Sequence, residues 1–225
     1  NLVANQLHVR QHLEIITKRW HELNEPAQFE IRCLHQDRKF PSFKFFEPSK
    51  IDSAVEFAAQ QNANQNNVYV TVNPIRKSRV GKASATADVI AAFYVFADAD
   101  DQTGMDNIMS FPGPRPRFTV KTGSMPKLRG HAYWELDEPC LNLEAWTDLQ
   151  KSMIRSLNTD PSIHNPDRIM RVAGTVSWPD QNKRDKGYLP EIVIIKTEFD
   201  LDSDPVSFEK MCKAFSAVET PITAT

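Results

Sequence analysis

Phe93-Tyr94-Val95-Phe96-Ala97-Asp98-Ala99-Asp100-Asp101 is the stretch around which the rest of the sequence is interpreted. Its first half is apolar and rich in aromatic residues, which predicts a buried β-strand. Side chains alternate between the faces of a strand, so Asp98 and Asp100 point the same way and Asp101 points elsewhere. Adjacent carboxylates repel each other, and a divalent cation between them removes that repulsion. The alternative to a metal site is a strand that ends in an acidic, solvated turn without a function.

The composition is that of an ordinary globular chain without a strong overall charge. Its 225 residues suffice for one large domain or two small lobes, and the net charge of -2 creates no general basic field. Contacts with nucleic acid must therefore come from local basic patches. The three cysteines are far apart and form no CxxC motif, which argues against a disulfide framework and a cysteine zinc site.

The sequence contains no apolar run near the ~20 residues that are needed to cross a bilayer. We therefore expect no membrane partner and a cytoplasmic location. No signal peptide is visible, but the chain begins at Asn1 without a methionine. We expect a fragment or a processed form of a longer protein, which leaves a lost targeting segment open.

Hydrophobic periodicity predicts an α/β (α+β) fold in which helices flank a mixed sheet. The expected helices cover residues 3–23, 51–59, 85–90, 143–157 and 206–218. Besides the acidic strand, the expected strands cover residues 29–34, 68–72, 118–122, 131–136 and 192–196. We expect loops at residues 41–48 and 104–116 and a polar turn at residues 60–67.

A second candidate site is the loop bounded by Gly123 and Gly130. Its small, hydroxyl-bearing residues expose backbone N–H groups, and Lys127 and Arg129 add positive charge, so the loop suits a polyphosphate. His131 stands where the loop enters the next strand, from which an imidazole could reach a phosphate. The alternative is a basic hairpin whose histidine is satisfied by the backbone.

A third candidate region carries further acids and two arginines. Asp160 and Asp167 compete for the role of a third carboxylate, and their spacing does not decide between them; Asp160 could instead serve a turn or a helix cap. Arg168 and Arg171 face opposite ways if their segment is extended and share a face if it is a helical turn. Surface salt bridges are the alternative role for both arginines.

A basic loop follows the strand at residues 68–72. Its cations could follow the phosphates of a template strand, or they could belong to a solvated surface loop. They are Arg76, Lys77, Arg79 and Lys82.

In this order, the motifs resemble those of the archaeo-eukaryotic primase superfamily, the primase-polymerases, and in particular the RepB-like primases of plasmids, phages and mobile elements. The first family motif, hydrophobic-Asp-x-Asp/Glu, is matched by residues 96–100. The second, small-x-His, is approximated by residues 129–131, where Arg129 replaces the usual serine. The third, hydrophobic-Asp, is matched by Asp160 after the weakly hydrophobic Thr159. An Arg-x-x-Arg-x-x-Gly-Thr stretch of RepB-like members matches residues 168–175.

The resemblance covers about residues 65–196 and implies a two-lobed catalytic core, with one lobe related to the RNA-recognition fold and the acids in the cleft. It implies a single catalytic domain made of three parts. These are an N-terminal helical and strand lobe (1–64), a motif-bearing core (65–196) and a C-terminal helix (197–225).

The resemblance also implies a chemistry. Template-dependent transfer would join nucleotides from NTPs or dNTPs to a 3′-hydroxyl on single-stranded DNA, in the replication of a plasmid, phage or mobile element. Asp98, Asp100 and Asp160 would hold two Mg²⁺ or Mn²⁺ ions and, with His131, form the catalytic set. The residues that would meet the triphosphate are Ser124, Lys127, Arg129, His131 and Arg171, and the nucleotide side would also include His164, Trp178, Asn182 and Lys183. A helicase or another replication protein is a further candidate partner.

Other functions remain open from the sequence. A metal-dependent nuclease or phosphodiesterase would use the same acids with water as the nucleophile. A non-enzymatic DNA-binding module for replication initiation would carry the acids as a solvated turn. A sugar-nucleotide transferase explains the third motif less well. A rolling-circle nicking enzyme is disfavoured because the chain has no His-x-His pair, since His8 and His12 are four residues apart.

Overall fold

The structure of the chain is a computed structural model that describes residues 2–36, 40–196 and 204–216. Within these ranges, no helix is both long and apolar enough to cross a membrane. The helices are α1 (Gln6–Thr17), α2 (Ile51–Ala63), α3 (Gln102–Ser110), α4 (Leu143–Leu157), α5 (Gln181–Asp185) and α6 (Phe208–Ser216). Short 3₁₀ turns cover Trp20–Glu22, Pro48–Lys50 and Thr86–Asp88.

The strands form two main sheets and a small two-stranded one. They are β1 (Ala27–Leu34), β2 (Ser42–Phe46), β3 (Asn67–Thr71), β4 (Ile75–Arg76), β5 (Ala92–Ala99), β6 (Phe118–Gly123), β7 (Arg129–Cys140), β8 (Ile169–Arg171), β9 (Val176–Ser177), β10 (Glu191–Ile192) and β11 (Ile194–Lys196).

The first sheet has the strand order β2-β1-β3-β8, and β4 pairs with the beginning of β1. All of these pairings are antiparallel. Helix α2 packs on this sheet. Its buried residues Ala54, Val55 and Ala58 recur at helical spacing, and Phe29 and Ile31 of β1 are fully buried.

The second sheet has the order β11-β6-β7-β5 and is also antiparallel. Helices α3, α4 and α6 pack against β5 or β7. Every residue of β5 except Asp98 is buried. Burial on both faces explains why this strand is a continuous apolar run instead of an alternating one. The buried strand β5 therefore ends in acids that lie at the boundary between the core and the surface.

Helix α1 contacts both halves of the molecule. The amide of Asn5, its N-cap residue, donates to the Gly174 carbonyl at 2.7 Å, in the turn that follows β8. His12 Nδ1 accepts from the Ala173 amide at 3.0 Å. The hydroxyl of Tyr94, on β5, donates to the Ile15 carbonyl at 3.1 Å. The helix thus holds the first sheet against the second.

The predicted α/β (α+β) fold class, with helices flanking the sheets, is confirmed. The expectation of a mixed sheet is refined, because every pairing between the named strands is antiparallel. The parallel contact in the described ranges is an isolated bridge between Leu136 and Val206.

Three of the predicted connecting segments are wrong. Residues 41–48 contain β2, which pairs with β1, so the flanking prolines bound a strand instead of a loop. The polar turn predicted at residues 60–67 begins within α2, which ends at Ala63, so that only residues 64 and 65 form a turn. Residues 104–116 begin inside α3, where the side chain of Asp101 caps the helix and Gly104 allows its close approach to Ala99.

The division of the chain at residues 64 and 196 stays a prediction. The first sheet takes β1 and β2 from residues 1–64 and β3, β4 and β8 from residues 65–196. Of residues 197–225, the structure describes 204–216, which include α6. The last two residues of the helix predicted at 206–218 lie outside the described residues.

Candidate active site

A cavity of about 820 Å³ lies between the two sheets and contains the acidic end of β5. The second sheet lines it with Asp98 and His131, and Asp100 follows directly after β5. The first sheet lines it with Tyr69 and Arg171. Cavities of this size bind small-molecule ligands and cofactors.

The pairing of β5 with β7 brings the first two sequence motifs together. Asp98 and His131 are direct partners in this antiparallel pairing, so both side chains project to the same face. Asp101 turns away and accepts a hydrogen bond from the Gly104 amide at 3.0 Å. The expectation that Asp98 and Asp100 share one side while Asp101 points elsewhere matches this geometry.

Helix α4 closes the outer edge of β5, which is the last strand of its sheet. The Trp146 indole donates to the Tyr94 carbonyl at 2.9 Å. The Gln150 amide exchanges two hydrogen bonds with the backbone of Phe96, at 3.1 and 2.9 Å, and donates to the Ile163 carbonyl at 3.0 Å. The Gln150 side chain therefore satisfies backbone groups of β5 that a neighbouring strand would otherwise pair with. It also bonds the segment after α4, so it links that segment to β5.

The contact between Gln150 and the segment after α4 places Asp160 at the cavity. Its amide donates to the Asp98 carbonyl at 2.9 Å, and it lines the cavity with Asp98 and Asp100. Asp160 Oδ1 also accepts from the Ser162 amide, so the residue stabilises a turn as well. Asp167 instead accepts from Thr86 and lies outside the cavity lining. Of the two acids that the sequence left open, the structure brings Asp160 to the strand acids.

The electrostatic environment of Asp98 opposes its ionisation. Burial raises the pKa of its carboxyl from an ordinary 3.8 to about 7, and the charges of Asp100 and Asp160 act in the same direction. Arg171 and Arg168 act against this shift without cancelling it. The acids thus hold an excess of negative charge that an additional cation would relieve.

This shift predicts how the stability of the metal-free protein depends on pH. Because the pKa of Asp98 is higher in the folded chain, the folded state binds the proton more tightly than the unfolded state does. The contribution of Asp98 to the free energy of unfolding is therefore fully present below about pH 4 and is lost as the pH rises to about 7. Urea denaturation with a chelator should show this loss, on the order of 4 kcal/mol, in the wild type. The Asp98→Asn variant should lack it, and identical pH profiles would contradict the assigned environment.

His131 is buried, and the side of its ring that faces away from the cavity contacts Tyr133. Its Nδ1 lies 3.1 Å from the Tyr133 hydroxyl, and its Nε2 lies 3.7 Å from Asp98 Oδ1. Burial lowers the pKa of the imidazole well below its ordinary 6.5, and the charge of Arg171 adds to this effect. The ring is therefore neutral at physiological pH and presents one nitrogen to the cavity.

The predicted phosphate loop is held by Glu191, a residue that the sequence analysis missed. The Glu191 carboxylate accepts from the backbone amides of Ser124 and Met125, at 2.9 and 3.0 Å, and from the Ser124 hydroxyl. These contacts and Arg129 lower the pKa of Glu191. Ser124 itself is not part of the cavity wall. The loop does expose an anion-binding set of N–H groups, but an acid of the chain occupies it.

Arg129 is largely committed to the same loop. Its guanidinium donates to the Met125 and Lys127 carbonyls, lies 3.6 Å from Glu191, and stacks on Tyr188 with its carbon 4.4 Å from the ring centre. Arg129 lines the cavity but is buried. Lys127 also lines the cavity and is more accessible, with a long 3.8 Å ion pair to Asp101.

Arg168 and Arg171 both line the cavity. Arg171 lies in the short strand β8, where its guanidinium donates to Asn67 and to the Tyr69 hydroxyl at 2.6 and 2.8 Å and covers the Tyr69 ring. Arg168 precedes the strand, in a turn closed by its amide and the Asn165 carbonyl. The segment is extended, yet both arginines face the acids because only one of them lies in the strand.

The basic loop at residues 76–82 lies outside the cavity lining, and three of its four cations pair with acids. A surface pair contributes little net energy but neutralises the local charge. The pairs are Arg76 with Glu25 at 3.0 Å, Lys77 with Glu47 at 2.9 Å, and Arg79 with Asp88 at 3.2 Å. The role of these cations and Lys82 in nucleic-acid binding stays a prediction.

Of the four residues predicted to flank the nucleotide, Trp178 and Lys183 line the cavity, whereas His164 and Asn182 do not. The sequence analysis did not select Tyr69 or Asn67. The pairing of β3 with β8 places Tyr69 opposite Arg171, and Asn67 lies two residues earlier on the same strand. The Asn-Val-Tyr alternation of β3 was a signal that would have placed both side chains on one face.

The acids fit a hard divalent cation in their chemistry. As the structure stands, no group of three or more His, Cys, Asp or Glu side chains within the described ranges is arranged to hold a metal ion. Mg²⁺, however, is commonly bound by one or two carboxylates together with substrate phosphates and waters. The oxygen ligands of Asp98, Asp100 and Asp160 and the raised pKa of Asp98 suit such a site.

The whole fold is similar to those of solved primases. The chain aligns with the AEP domain of the primase-polymerase (PrimPol) of cyanophage S-2L at a TM-score of 0.65 and 20% identity, over 95% of this chain and 100% of that one. This chain has the primase-polymerase fold. The primase RepB′ has a TM-score of 0.62 at 14% identity, over 93% of this chain and 63% of that one.

The same fold also occurs in a complex with nucleic acid. The catalytic domain of primase RepB′ in complex with initiator DNA aligns at a TM-score of 0.61 and 14% identity, over 95% of both chains. No protein-family model matches the sequence, and no curated protein sequence matches it either. The predicted resemblance to primase-polymerases is thus confirmed at the level of the primase-polymerase fold.

Proposed function

We propose that this chain is a primase-polymerase catalytic domain that transfers nucleotides from NTPs or dNTPs to a 3′-hydroxyl on a single-stranded DNA template. The observation that carries the proposal is the composition of the cavity. Asp98, Asp100 and Asp160 lie on one side, and Arg168 and Arg171 face them from the other. A polyanionic substrate accompanied by divalent cations would satisfy both charges.

The residues of the chain have separable tasks in this reaction. Lys127, Arg168 and Arg171 bind the charged phosphates, and Tyr69 and Asn67 hold Arg171 in its orientation. Neutral His131 donates a hydrogen bond to a phosphate oxygen from its cavity-facing nitrogen. Phosphoryl transfer depends mainly on positioning and on charge stabilisation, which this arrangement supplies without a covalent intermediate.

Asp98, Asp100 and Asp160 would hold Mg²⁺ or Mn²⁺. When bound, the cations activate the attacking hydroxyl and neutralise the charge that develops on the phosphates. The aspartates would keep the cations at the end of β5, whose other residues are buried, next to the phosphate-binding arginines.

Primer synthesis and extension on single-stranded DNA test this proposal. Labelled template, with and without an annealed primer, is incubated with NTPs or dNTPs and with Mg²⁺ or Mn²⁺. We expect metal-dependent elongated products. Cleavage of the labelled strand that needs metal but no nucleotide would instead indicate a nuclease. Binding of neither Mn²⁺ nor nucleotide in calorimetry, together with no product, would favour a non-enzymatic DNA-binding module.

We expect His131→Ala to weaken binding of the nucleotide more than it slows the transfer step. A hydrogen bond to a charged group contributes about 1.5–3 kcal/mol, so the KM for the nucleotide should rise about tenfold or more. Steady-state extension kinetics measure KM and kcat separately. His164→Ala is the matched control, because His164 lies outside the cavity lining. An unchanged KM in His131→Ala would refute the phosphate contact.

A further inference from the structure

The hydroxyl of Tyr133 lies directly behind His131, on the side away from the cavity. Its oxygen is 3.1 Å from His131 Nδ1, and the tyrosine is completely buried. The Tyr133 ring stacks on Phe118, with ring centres 4.4 Å apart and planes within 11°, and the ring of His12 contacts its edge. This packing fixes the position of the phenol oxygen next to His131.

The direction of this hydrogen bond follows from which nearby groups can donate and which can accept. Among the described residues, His131 Nδ1 is the partner of the Tyr133 hydroxyl. If Nδ1 carried the proton and donated it, the hydroxyl hydrogen would be buried without an acceptor, which is unfavourable. If the hydroxyl donates to Nδ1, both groups are satisfied and the imidazole proton resides on Nε2.

The other side of the ring supports the same assignment. Nε2 faces the cavity, 3.7 Å from the Asp98 carboxylate, which is ionised above its pKa of about 7 and then only accepts hydrogen bonds. His12 does not compete for the hydroxyl, because its Nδ1 accepts from the Ala173 amide and its buried Nε2 makes no hydrogen bond to any described residue. A proton on Nε2 would therefore point towards an acceptor, which is favourable. A lone pair on Nε2 would instead face the negative carboxylate, which is unfavourable.

We propose that Tyr133 is a positioning residue that holds neutral His131 as the Nε2–H tautomer, with this N–H directed into the cavity as a donor to a phosphate oxygen. The nature of the acceptor rests on the proposed function. In this form Nε2 has no free lone pair, so His131 acts neither as a general base nor as a metal ligand from the cavity side.

The tautomer is tested by NMR on the metal-free wild-type protein with ¹⁵N-labelled histidine, which needs no activity. We expect the His131 Nε2 resonance at the position of a protonated nitrogen and the Nδ1 resonance at that of an unprotonated, hydrogen-bonded one. In Tyr133→Phe, the Nδ1 resonance should move to the position of an unbonded nitrogen. Protonated Nδ1 in the wild type would overturn the proposal.

A double-mutant cycle tests whether Tyr133 acts through His131. Tyr133→Phe should raise the KM for the nucleotide about 2–10-fold with little change in kcat, as expected for one neutral hydrogen bond. In the His131→Ala background it should have no further effect on KM. Equal, additive effects in both backgrounds would overturn the positioning role. A wild-type KM in His131→Ala would instead refute the proposed phosphate contact, while the NMR result would still decide the tautomer.

Tyr94→Phe is the matched control for this cycle. Tyr94 is a second buried tyrosine of the same sheet, and its hydroxyl makes one hydrogen bond, to the Ile15 carbonyl, away from the cavity. The control should lower the free energy of unfolding about as much as Tyr133→Phe without raising KM. A rise in KM equal to that of Tyr133→Phe would show that the effect is general destabilisation and would overturn the proposal.

Discussion

Replacement of Asp98 by asparagine should abolish nucleotide incorporation and leave the fold intact. The substitution keeps the shape of the side chain but removes the charge that would bind the cations. Charge stabilisation by bound metal contributes several kcal/mol to such reactions, so we expect a loss of about a thousandfold or more in kcat/KM. Because burial and two neighbouring acids already oppose the charge of Asp98, its removal should preserve or raise the thermal stability at pH 8.

Asp101→Asn is the control for this experiment. Asp101 is part of the same acidic stretch but caps α3, and asparagine is an equally good cap residue, so activity should stay near that of the wild type. Primer extension and thermal denaturation of both variants separate catalysis from folding. Activity of Asp98→Asn within tenfold of the wild type would contradict the metal-binding role.

Replacement of Gly174 by alanine should be among the most damaging changes to stability in the chain. Gly174 has a φ of +83°, and an added Cβ would lie 2.3 Å from the Asn5 carbonyl oxygen and 2.7 Å from the Val9 amide nitrogen. These are backbone atoms of the first turn of α1, which cannot yield without moving the helix. We expect the free energy of unfolding, measured by urea denaturation, to fall by about 3 kcal/mol or more.

Gly81 supplies a matched comparison, because its φ of +71° is similar but nothing lies within 4 Å of an added Cβ. Gly81→Ala should therefore cost only the backbone strain, about 1 kcal/mol. The difference between the two variants measures the contact with α1. Equal losses would mean that α1 can shift away from the turn, and that this contact does not fix its position.

The strand with its acid pair and the basic loop before His131 were predictable because each is a local pattern. A continuous apolar run that ends in Asp98 and Asp100 specifies a buried strand, and alternation specifies which acids share a face. The choice of Asp160 over Asp167 was not predictable. It depends on the attachment of the segment after α4 to the edge of β5, a contact between residues distant in the sequence.

The role of Glu191 was hidden for the same reason. The exposed N–H groups at Ser124 and Met125 were predicted to bind a polyphosphate, but nothing in the local sequence tells that Glu191 of the chain accepts from them. Helix α3 was missed because glycine lowers helix propensity, whereas here Gly104 is required for close packing on Ala99. Contacts between separate elements of the fold thus determine the role of Glu191 and favour the helical state of α3, which local patterns did not predict.

The edge of β5 has a consequence for the behaviour of the protein at high concentration. Unpaired edge strands recruit extended segments of other molecules and so promote aggregation. Here four backbone groups on this edge already have partners. The Tyr94 carbonyl accepts from Trp146, the Phe96 amide and carbonyl bond to Gln150, and the Asp98 carbonyl accepts from the Asp160 amide. These contacts compete with the pairing of a foreign strand, so they disfavour self-association through this edge in the folded chain.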